Sequence, residues 1–230
     1  MDEFLLSTIN GFARASPELD FTIGFISDSY IFKGMVPVAV FCFLWFAAGP
    51  SGKNERSGVL ATGVLTVAAI IAARLLSTLM PLRLRPIHDP SAADIVNIPY
   101  SISPTYLEGW SAMPSDHAVM FAALAVSTFI WHRTAGTLLL AHAAIVVSLP
   151  RVFLGLHWPS DILVGWLFGA IFAIVLTGPL MRVIRPLLDA TFSRRAIGLF
   201  YCAGFLIAFQ MASMFESARE LGKALWILLL

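Results

Sequence analysis

The chain has 230 residues, of which 58% are hydrophobic and 13% are charged, and its formal net charge at pH 7 is +1. Soluble domains usually carry about 25% charged residues, so this composition excludes an ordinary water-soluble protein. The small net charge, without a basic patch, argues against a nucleic-acid partner. Several apolar runs approach the ~20 residues that a helix needs to cross a bilayer. We therefore expect one all-α membrane domain over residues 1–230.

The predicted elements begin with an amphipathic segment over residues 1–32. Its apolar positions recur at helical spacing, but five acidic residues and Arg14 lie among them. A segment with so many charges is predicted to lie along the membrane interface as a helix rather than to cross the bilayer.

Six apolar runs follow and predict a bundle of six transmembrane helices. The runs that begin at residues 117 and 135 are short, so we expect tilting or helical extensions into the headgroup region. The tail over residues 216–230 is too short to span and is predicted to lie along the interface. The predicted spans are residues 35–49, 58–80, 117–131, 135–149, 161–180 and 196–215.

The distribution of charge predicts how this bundle is oriented. The loops after the first, third and fifth predicted spans are strongly basic, and their only acids are Glu55 and Asp189. The positive-inside rule places these loops in the cytoplasm. Both termini, and the polar clusters described next, then face the exterior of the cell (inner) membrane. The basic residues of the cytoplasmic loops are Lys53, Arg56, Arg133, Arg182, Arg185, Arg194 and Arg195.

Three polar clusters lie at the ends of the apolar runs on the opposite side. Arg151, His157 and Asp161 precede the fifth predicted span, residues 114–117 read Pro-Ser-Asp-His, and residues 83–86 read Arg-Leu-Arg-Pro. Ionisable side chains at a membrane boundary are costly unless they pair with one another or bind a charged ligand. Guanidinium groups, a serine at a helix start and histidines together favour a site that binds and cleaves phosphate.

The histidines suggest specific chemical roles. His157 can attack phosphorus as a neutral imidazole if an acceptor holds its other nitrogen, and Asp161, one helical turn later, is the candidate acceptor. His117 can protonate the departing oxygen as a general acid. The alternative interpretation of each pair is structural: His157 and Asp161 would cap one helix, and Ser115 and His117 another.

The order and spacing of these clusters resemble a known family. Arg151, His157 and Asp161 match the third signature of the type 2 phosphatidic acid phosphatase (PAP2) superfamily, residues 114–117 resemble its second, and Arg85-Pro86 resembles the end of its first. The resemblance covers residues 74–161. It implies a six-helix core and a lipid phosphatase that forms a phosphohistidine without a metal. The Ser-Asp-His form of the second cluster is similar to the bacterial undecaprenyl-diphosphatase branch.

The chain departs from the family pattern at two positions. The family usually has Lys seven residues before Arg85, where this chain has Thr78. Arg83 or Arg74 could supply that charge. We favour Arg83, because it points to the same face as Arg85 in an extended segment. Asp116 stands where Gly is more usual, and it either turns away, pairs with an arginine or tunes His117.

The sequence therefore predicts a phosphate site formed by Arg85, Arg151, Arg83 and Ser115, with Arg74 as the second candidate. No cofactor or metal is expected, because the chain shows no cluster of carboxylate, histidine or cysteine ligands. The long loop over residues 87–113 carries aromatic residues that could lie over the mouth of the site and select lipids.

Several functions remain open at this stage. The preferred substrate is undecaprenyl diphosphate, with phosphatidic acid, phosphatidylglycerol phosphate and lipid A as alternatives. A transporter of phosphate-bearing lipids would bind through the same arginines without turnover. A non-catalytic scaffold with the family fold is the third reading. The oligomeric state is not indicated by the sequence.

Overall fold

The computed structural model describes residues 1–49, 52–188, 194–213 and 216. Within these ranges the secondary structure is helical and contains no strand, as predicted. Residues 189–193 and 217–230, which include most of the predicted interfacial tail, lie outside the described residues. In chain order the α-helices are α1 (Asp2–Asn10), α2 (Pro17–Asp28), α3 (Val36–Ala47), α4 (Lys53–Leu79), α5 (Asp116–Trp131), α6 (Arg133–His142), α7 (Leu149–Phe153), α8 (Pro159–Leu187) and α9 (Arg194–Ala212).

Several non-α segments join these helices. The π-helical segment Ile31–Met35 leads into α3, and a second one, Ala143–Ser148, joins α6 to α7. The connection from α4 to α5 is a long loop with short 3-10 turns at Pro86–His88 and Pro90–Ala92. We call residues 80–115 the site loop, because it carries the first polar cluster and leads into the second.

Helix α5 forms the centre of the bundle. It packs against α4, α6 and α8, and ten of its 16 residues are buried, as expected for a helix that is apolar on all sides. Gly165 and Gly169 of α8 lie directly against the backbone of α5, where a Cβ atom would overlap Ser115 and Val119. Small residues allow such close approach of two helices. The start of α5 is therefore held beside the start of α8.

A buried polar layer links the three central helices. The hydroxyl of Ser127 on α5 lies 2.8 Å from that of Thr62 on α4 and 2.9 Å from that of Thr177 on α8. The indole of Trp131 donates to Thr62 at 3.1 Å. Hydroxyl pairs of this kind join helices where apolar surfaces give little specificity.

Three helical segments are long and apolar enough to cross a membrane: Lys53–Leu79, Arg133–Phe153 and Pro159–Leu187. Helix α2 and the helix Ile31–Ala47 meet at a bend of 52° and give a fourth crossing if the pair is one broken span. Helix α5 and residues Ile197–Ala212 are apolar but shorter. By length and composition, the described part of the chain thus offers three or four crossings, which does not confirm the six that we predicted.

The N-terminal segment is more integrated into the fold than we predicted. Leu6 and Asn10 of α1 are fully buried, and α1 packs against α7 and α8. Leu6 belongs to an apolar cluster with Ala92 of the site loop and Trp158. Within residues 1–32, α1 packs on the bundle and α2 leads into the bent pair with α3. The interfacial location of this segment stays a prediction.

The two N-terminal helices also hold the site loop in place. Asn10 donates to the carbonyls of Phe153 at 2.7 Å and Asn97 at 2.9 Å, and its own oxygen accepts from the Asn97 amide at 2.6 Å. The fully buried carboxylate of Asp20 accepts from the Tyr100 amide at 2.9 Å. Backbone amide and carbonyl groups that have no hydrogen-bond partner within a helix are thus paired with buried side chains.

Candidate active site

Backbone hydrogen bonds bring the three polar clusters side by side. The amide of Ala112 donates to the carbonyl of Arg83 at 2.9 Å, which closes the two ends of the site loop. The amide of Ile87 donates to the carbonyl of Gly155 at 3.1 Å, so the first cluster lies along the turn before α8. These bonds fix the clusters to one another before any side chain is considered.

The turn between α7 and α8 depends on a glycine. Gly155 has a φ of +68°, in the left-handed region that glycine adopts at little cost. A Cβ at this position would also collide with the side chain of Ile87. The flanking Leu154 and Leu156 are fully buried. The turn is therefore anchored on both sides, and it directs His157 into the site.

The contacts of His157 define its tautomer. Its Nδ1 lies 2.8 Å from the carbonyl oxygen of Ala112, which can only accept, and its Nε2 lies 3.2 Å from Nη1 of Arg85, which can only donate. Both contacts are satisfied when Nδ1 carries the proton and Nε2 carries the lone pair. The imidazole is then neutral, with its nucleophilic nitrogen facing a guanidinium group.

Burial stabilises this neutral form. His157 is 5% exposed. Burial and the nearby charges of Arg85 and Arg151 outweigh the opposing effect of Asp161 and lower the pKa of His157 from an ordinary value of 6.5 to about 4. The lone pair on Nε2 therefore stays available throughout the neutral pH range.

Asp161 occupies a different place from the one that we predicted. Its Oδ2 lies 3.8 Å from Nδ1 of His157, within ion-pair range but beyond a hydrogen bond. That oxygen instead accepts from the Trp158 amide at 2.8 Å and caps the start of α8. The direct acceptor for His157 is the Ala112 carbonyl. Asp161 thus lies within range of a charge interaction with the imidazole, and its hydrogen bond to the Trp158 amide supports the turn that carries His157.

Arg85 reaches across the site from the first cluster. It is 6% exposed, and besides His157 it donates to the carbonyl of Leu156 at 2.6 Å and to that of Ser111 at 3.4 Å. Burial, together with the charge of Arg151, lowers the pKa of Arg85 to about 10. Arg85 still carries its charge at neutral pH, so it remains suited to bind phosphate.

Arg151 makes the corresponding contact with the second histidine. Its Nη2 donates to Nε2 of His117 at 2.7 Å. Arg151 is 3% exposed, whereas His117 is partly exposed. The side chain of Tyr106, in the site loop, lies near Arg151. Each of the two histidines therefore has an arginine on its Nε2 atom.

The hydroxyl of Ser115, at the N-terminal cap of α5, and Nε of Arg85 are buried donors of the site that have no hydrogen-bond partner within the described residues. A buried polar atom without a partner is costly. Oxygens of a bound phosphate would satisfy both.

Arg74 and Asp116 form an ion pair at the outer end of α4 and α5. The guanidinium group of Arg74 also lies 5.3 Å from the ring centre of Trp110. Of the three options considered for Asp116, the structure shows the pairing with an arginine. The unusual acid and the candidate basic residue thus compensate each other's charge.

Arg83 is held by carboxylates rather than pointing towards open space. Its Nη1 lies 2.7 Å from Oδ1 of Asp161, and its Nη2 lies 2.9 Å from Asp2. The side chain also lies over the ring of Trp158, at 5.8 Å. Two anionic partners compete with any phosphate for this group. We therefore revise our expectation for Arg83 from a phosphate ligand to a partner of Asp161.

Sequence reasoning missed three contributors to the site. The Ala112 carbonyl belongs to the backbone, so no side-chain pattern could reveal it. Asp2 lies at the start of a short helix, where an acid has an ordinary role. Ser160, next to Asp161, donates to Asp2 through its amide at 2.9 Å and through its hydroxyl. For Ser160, its position within the third polar cluster was the one sequence feature that pointed to the site.

Among the residues that the structure describes, no three or more histidine, cysteine, aspartate or glutamate side chains are grouped as metal ligands. The positive groups that face the histidines are guanidinium groups. The arrangement can therefore bind an anion and carry out nucleophilic and acid–base chemistry with the chain's own residues.

Comparison with protein families identifies the region that carries these clusters. The model of the PAP2 superfamily matches residues 83–183. The segment of residues 83–183 is therefore similar to the PAP2 superfamily. It contains Arg85, Ser115, His117 and both ends of the third cluster, whereas Arg74 and Asp2 lie outside it.

Curated relatives match the chain over shorter stretches. YbjG of Escherichia coli (strain K12), provisionally named an undecaprenyl-diphosphatase, is 42% identical over 60 residues, which cover 26% of this chain and 30% of that protein. The bacitracin transport permease protein BcrC of Bacillus licheniformis is 31% identical over 81 residues, covering 34% of this chain and 39% of BcrC. An undecaprenyl-diphosphatase of Sulfolobus acidocaldarius is 32% identical over 95 residues, which cover 37% of this chain and 46% of that protein.

The matches thus span less than half the length of each of these relatives. No solved structure matches the chain.

Proposed function

We propose that this protein is an integral membrane enzyme that removes a phosphate group from a lipid phosphate or diphosphate. The observation that carries the proposal is the tautomer of His157, whose Nδ1 donates to the Ala112 carbonyl while Nε2 faces Arg85. A buried neutral imidazole with its lone pair beside a guanidinium group is prepared for attack on phosphorus. The similarity of residues 83–183 to the PAP2 superfamily supports the same class of reaction.

The first step transfers the terminal phosphate to the protein. Arg85 and Arg151 donate to phosphate oxygens instead of to the histidines, so that Nε2 of both histidines becomes free. The Ser115 hydroxyl donates to a third phosphate oxygen. Nε2 of His157 forms a bond to phosphorus while the bond from phosphorus to the leaving oxygen breaks. His117, protonated once Arg151 has turned to the phosphate, gives its proton to that oxygen. The arginines stabilise the charge that builds up on the phosphoryl oxygens.

The second step regenerates the histidine. A water molecule attacks phosphorus, and the bond between phosphorus and Nε2 of His157 breaks. His117, now without the proton that it gave away, takes one from the water. Inorganic phosphate leaves, and the arginines return to the histidines. Asp161 stabilises the positive imidazole ring during both steps, because its carboxylate lies 3.8 Å from Nδ1.

Undecaprenyl diphosphate is the substrate that we prefer. Two of the relatives are named for this activity, and the apolar surfaces of the bundle suit a long prenyl chain. With this substrate the leaving group is the lipid monophosphate. Phosphatidic acid, phosphatidylglycerol phosphate and lipid A are the other substrates that the same phosphate site could take.

The decisive experiment is an assay of purified protein against a panel of these lipids in EDTA. We expect phosphate release to continue in the chelator, because guanidinium groups supply the positive charge of the site. Vanadate should inhibit, because it adopts the trigonal-bipyramidal geometry of the transition state. Activity that disappears in EDTA and returns with Mg²⁺ would contradict the mechanism, and a protein that releases phosphate from none of the lipids would contradict the function.

We further propose six membrane crossings with the site facing the exterior. In a variant that lacks Cys42 and Cys202, a cysteine at Ser91 should react with a membrane-impermeant maleimide in intact cells. Both Ser91, in the site loop, and Thr134, at the opposite end of the bundle, are exposed. A cysteine at Thr134 should therefore label only after the cells are opened. The reverse pattern would place the site in the cytoplasm.

Transport is the second candidate function, because one relative is named a transport permease. A transporter would move the lipid phosphate across the bilayer without releasing inorganic phosphate. The two functions are separated by reconstituting the protein in vesicles with the lipid and measuring free phosphate and lipid translocation in the same sample.

A further inference from the structure

The first helix of the chain reaches the catalytic cluster through one acidic side chain. Asp2 accepts hydrogen bonds from the amide of Ser160, at 2.9 Å, and from its hydroxyl. It also accepts from Nη2 of Arg83 at 2.9 Å. Asp2 is the first residue of α1, and it is 158 residues away from Ser160 along the chain. These contacts tie α1 to the first turn of α8.

Arg83 connects this acid to Asp161. Its two terminal nitrogens are divided between the carboxylates of Asp2 and Asp161. The Asp161 side chain is fully buried, and apart from the ion pair its Oδ1 has no hydrogen-bond partner within the described residues. The position of Arg83 therefore determines how strongly the charge of Asp161 is neutralised.

We propose that Asp2 is a positioning residue for His157, which it does not touch, and that it acts through Arg83, Ser160 and Asp161. The proposal rests on the function proposed above. With Asp2 present, two carboxylates share one guanidinium group, and the trio carries a net charge of −1. With a neutral side chain at position 2, the same trio carries no net charge.

The difference bears on the reaction, because His157 becomes positively charged when its Nε2 bonds to phosphorus while Nδ1 keeps its proton. A net negative cluster next to the imidazole stabilises that cation. Removing the charge of Asp2 should thus slow the chemical step. The phosphate ligands, Arg85 and Arg151, do not contact Asp2, so binding of phosphate should change little.

The protonation behaviour of Asp2 agrees with a charged role. Partial burial raises its pKa, but the hydrogen bonds from Ser160 and the interaction with Arg83 outweigh burial and leave the pKa below the ordinary value of 3.8. Asp2 is therefore ionised at neutral pH. The alternative explanation is that Asp2 only interacts favourably with the helix dipole at the start of α1. Glu3 lies in the same helical turn but is exposed, so it offers a comparison for this dipole effect.

The test compares Asp2→Asn with Glu3→Gln, which removes the same charge from the same helix turn. We expect Asp2→Asn to lower kcat about 10-fold, at the lower end of the ~10- to 100-fold losses that follow when a residue that orients a metal ligand is removed. KM and the inhibition constant of vanadate should stay within roughly twofold of the wild type. Glu3→Gln should keep full activity, and Asp2→Glu should recover part of the loss.

A double-mutant cycle tests whether Asp2 acts through Arg83. In an Arg83→Gln background, Asp2→Asn should cause a clearly smaller loss than in the wild type, because the connection through Arg83 is already broken and only the contacts with Ser160 remain. Additive losses, a normal kcat for Asp2→Asn, or an equal loss for Glu3→Gln would each overturn the proposal. If Asp2→Asn does not fold, Ser160→Ala removes one of the same contacts and should lower kcat without changing KM.

The two proposals can fail separately. Wild-type protein that releases no phosphate from any lipid would remove the proposed function. Wild-type protein that turns over, together with a fully active Asp2→Asn variant, would remove only the role of Asp2.

Discussion

The variant His157→Ala should release phosphate at least roughly 10⁴-fold more slowly than the wild type, the order of loss that follows removal of a nucleophile in a hydrolase. Nε2 of His157 is the atom that would bond to phosphorus, and its lone pair already faces Arg85 at 3.2 Å. The truncation leaves a small buried gap in a turn that Leu154 and Leu156 anchor, so the helices should be retained. Phosphate release and the far-ultraviolet circular dichroism spectrum measure the two effects.

A second histidine serves as the matched control. His132 lies at the other end of α5, where its Nδ1 accepts from the Ala135 amide at 3.2 Å and caps α6. The variant His132→Asn keeps a capping acceptor and should keep full activity. If His157→Ala retains activity within a few-fold of the wild type, His157 is not the nucleophile.

Trapping of the intermediate gives an independent measure of the same role. When the terminal phosphate of the substrate carries the label and the reaction is quenched in base, the wild-type protein should retain label and His157→Ala should retain none. The variant His117→Asn should accumulate label when the leaving group is a good one, such as an aryl oxide, because attack then needs no proton donor while hydrolysis still needs a base. Label on His157→Ala would point to another nucleophile.

The variant Arg85→Ala should lower kcat/KM by roughly 30- to 1000-fold, which corresponds to a loss of about 2–4 kcal/mol of transition-state stabilisation. Arg85 is buried, touches the nucleophile, and donates to the Leu156 carbonyl at 2.6 Å. The variant removes both the phosphate contact and the hydrogen bond that supports the turn. Steady-state kinetics with the preferred lipid measure the loss.

Replacement by lysine separates charge from geometry. Arg85→Lys keeps a positive charge but loses the planar group that can donate to two acceptors at once, so its activity should lie between those of the wild type and Arg85→Ala. Arg133→Lys, at the exposed far end of the bundle, should have no effect. An Arg85→Ala variant with a normal kcat/KM would exclude Arg85 from phosphate binding.

The sequence predicted the helices better than the number of membrane crossings. The apolar runs became helices, and Pro159 and the Pro-Ser-Asp-His stretch mark helix starts as expected. The run predicted at residues 135–149 became part of the longer segment Arg133–Phe153. The pattern of apolar residues shows which side chains avoid water. It does not show whether those side chains face lipid or the interior of the protein. Helix α5, which is buried on nearly all sides, illustrates the ambiguity.

For the site, the sequence predicted which residues gather but not which atoms touch. Spacing alone indicated that Asp161 lies one turn from His157, and the two side chains are indeed neighbours. The hydrogen bond to Nδ1 nevertheless goes to the Ala112 carbonyl, because the closed site loop brings that oxygen nearer. Arg83 and Arg85 were expected to share a target, yet Arg83 pairs with the carboxylates of Asp2 and Asp161 instead. Both differences arise from long-range contacts that a linear pattern does not contain.

The dependence of His157 on a backbone oxygen of the site loop bears on how the protein would lose activity on heating. The central helices are joined by buried apolar contacts and by the hydroxyl layer around Ser127. The site loop has little regular structure; a hydrogen bond joins its own two ends, and others tie it to Asn10 and Asp20. Regions with few buried apolar contacts open at a lower free-energy cost than a packed core. Thermal inactivation should therefore precede the melting of the helices, and it should be reversible on cooling as long as the bundle remains intact.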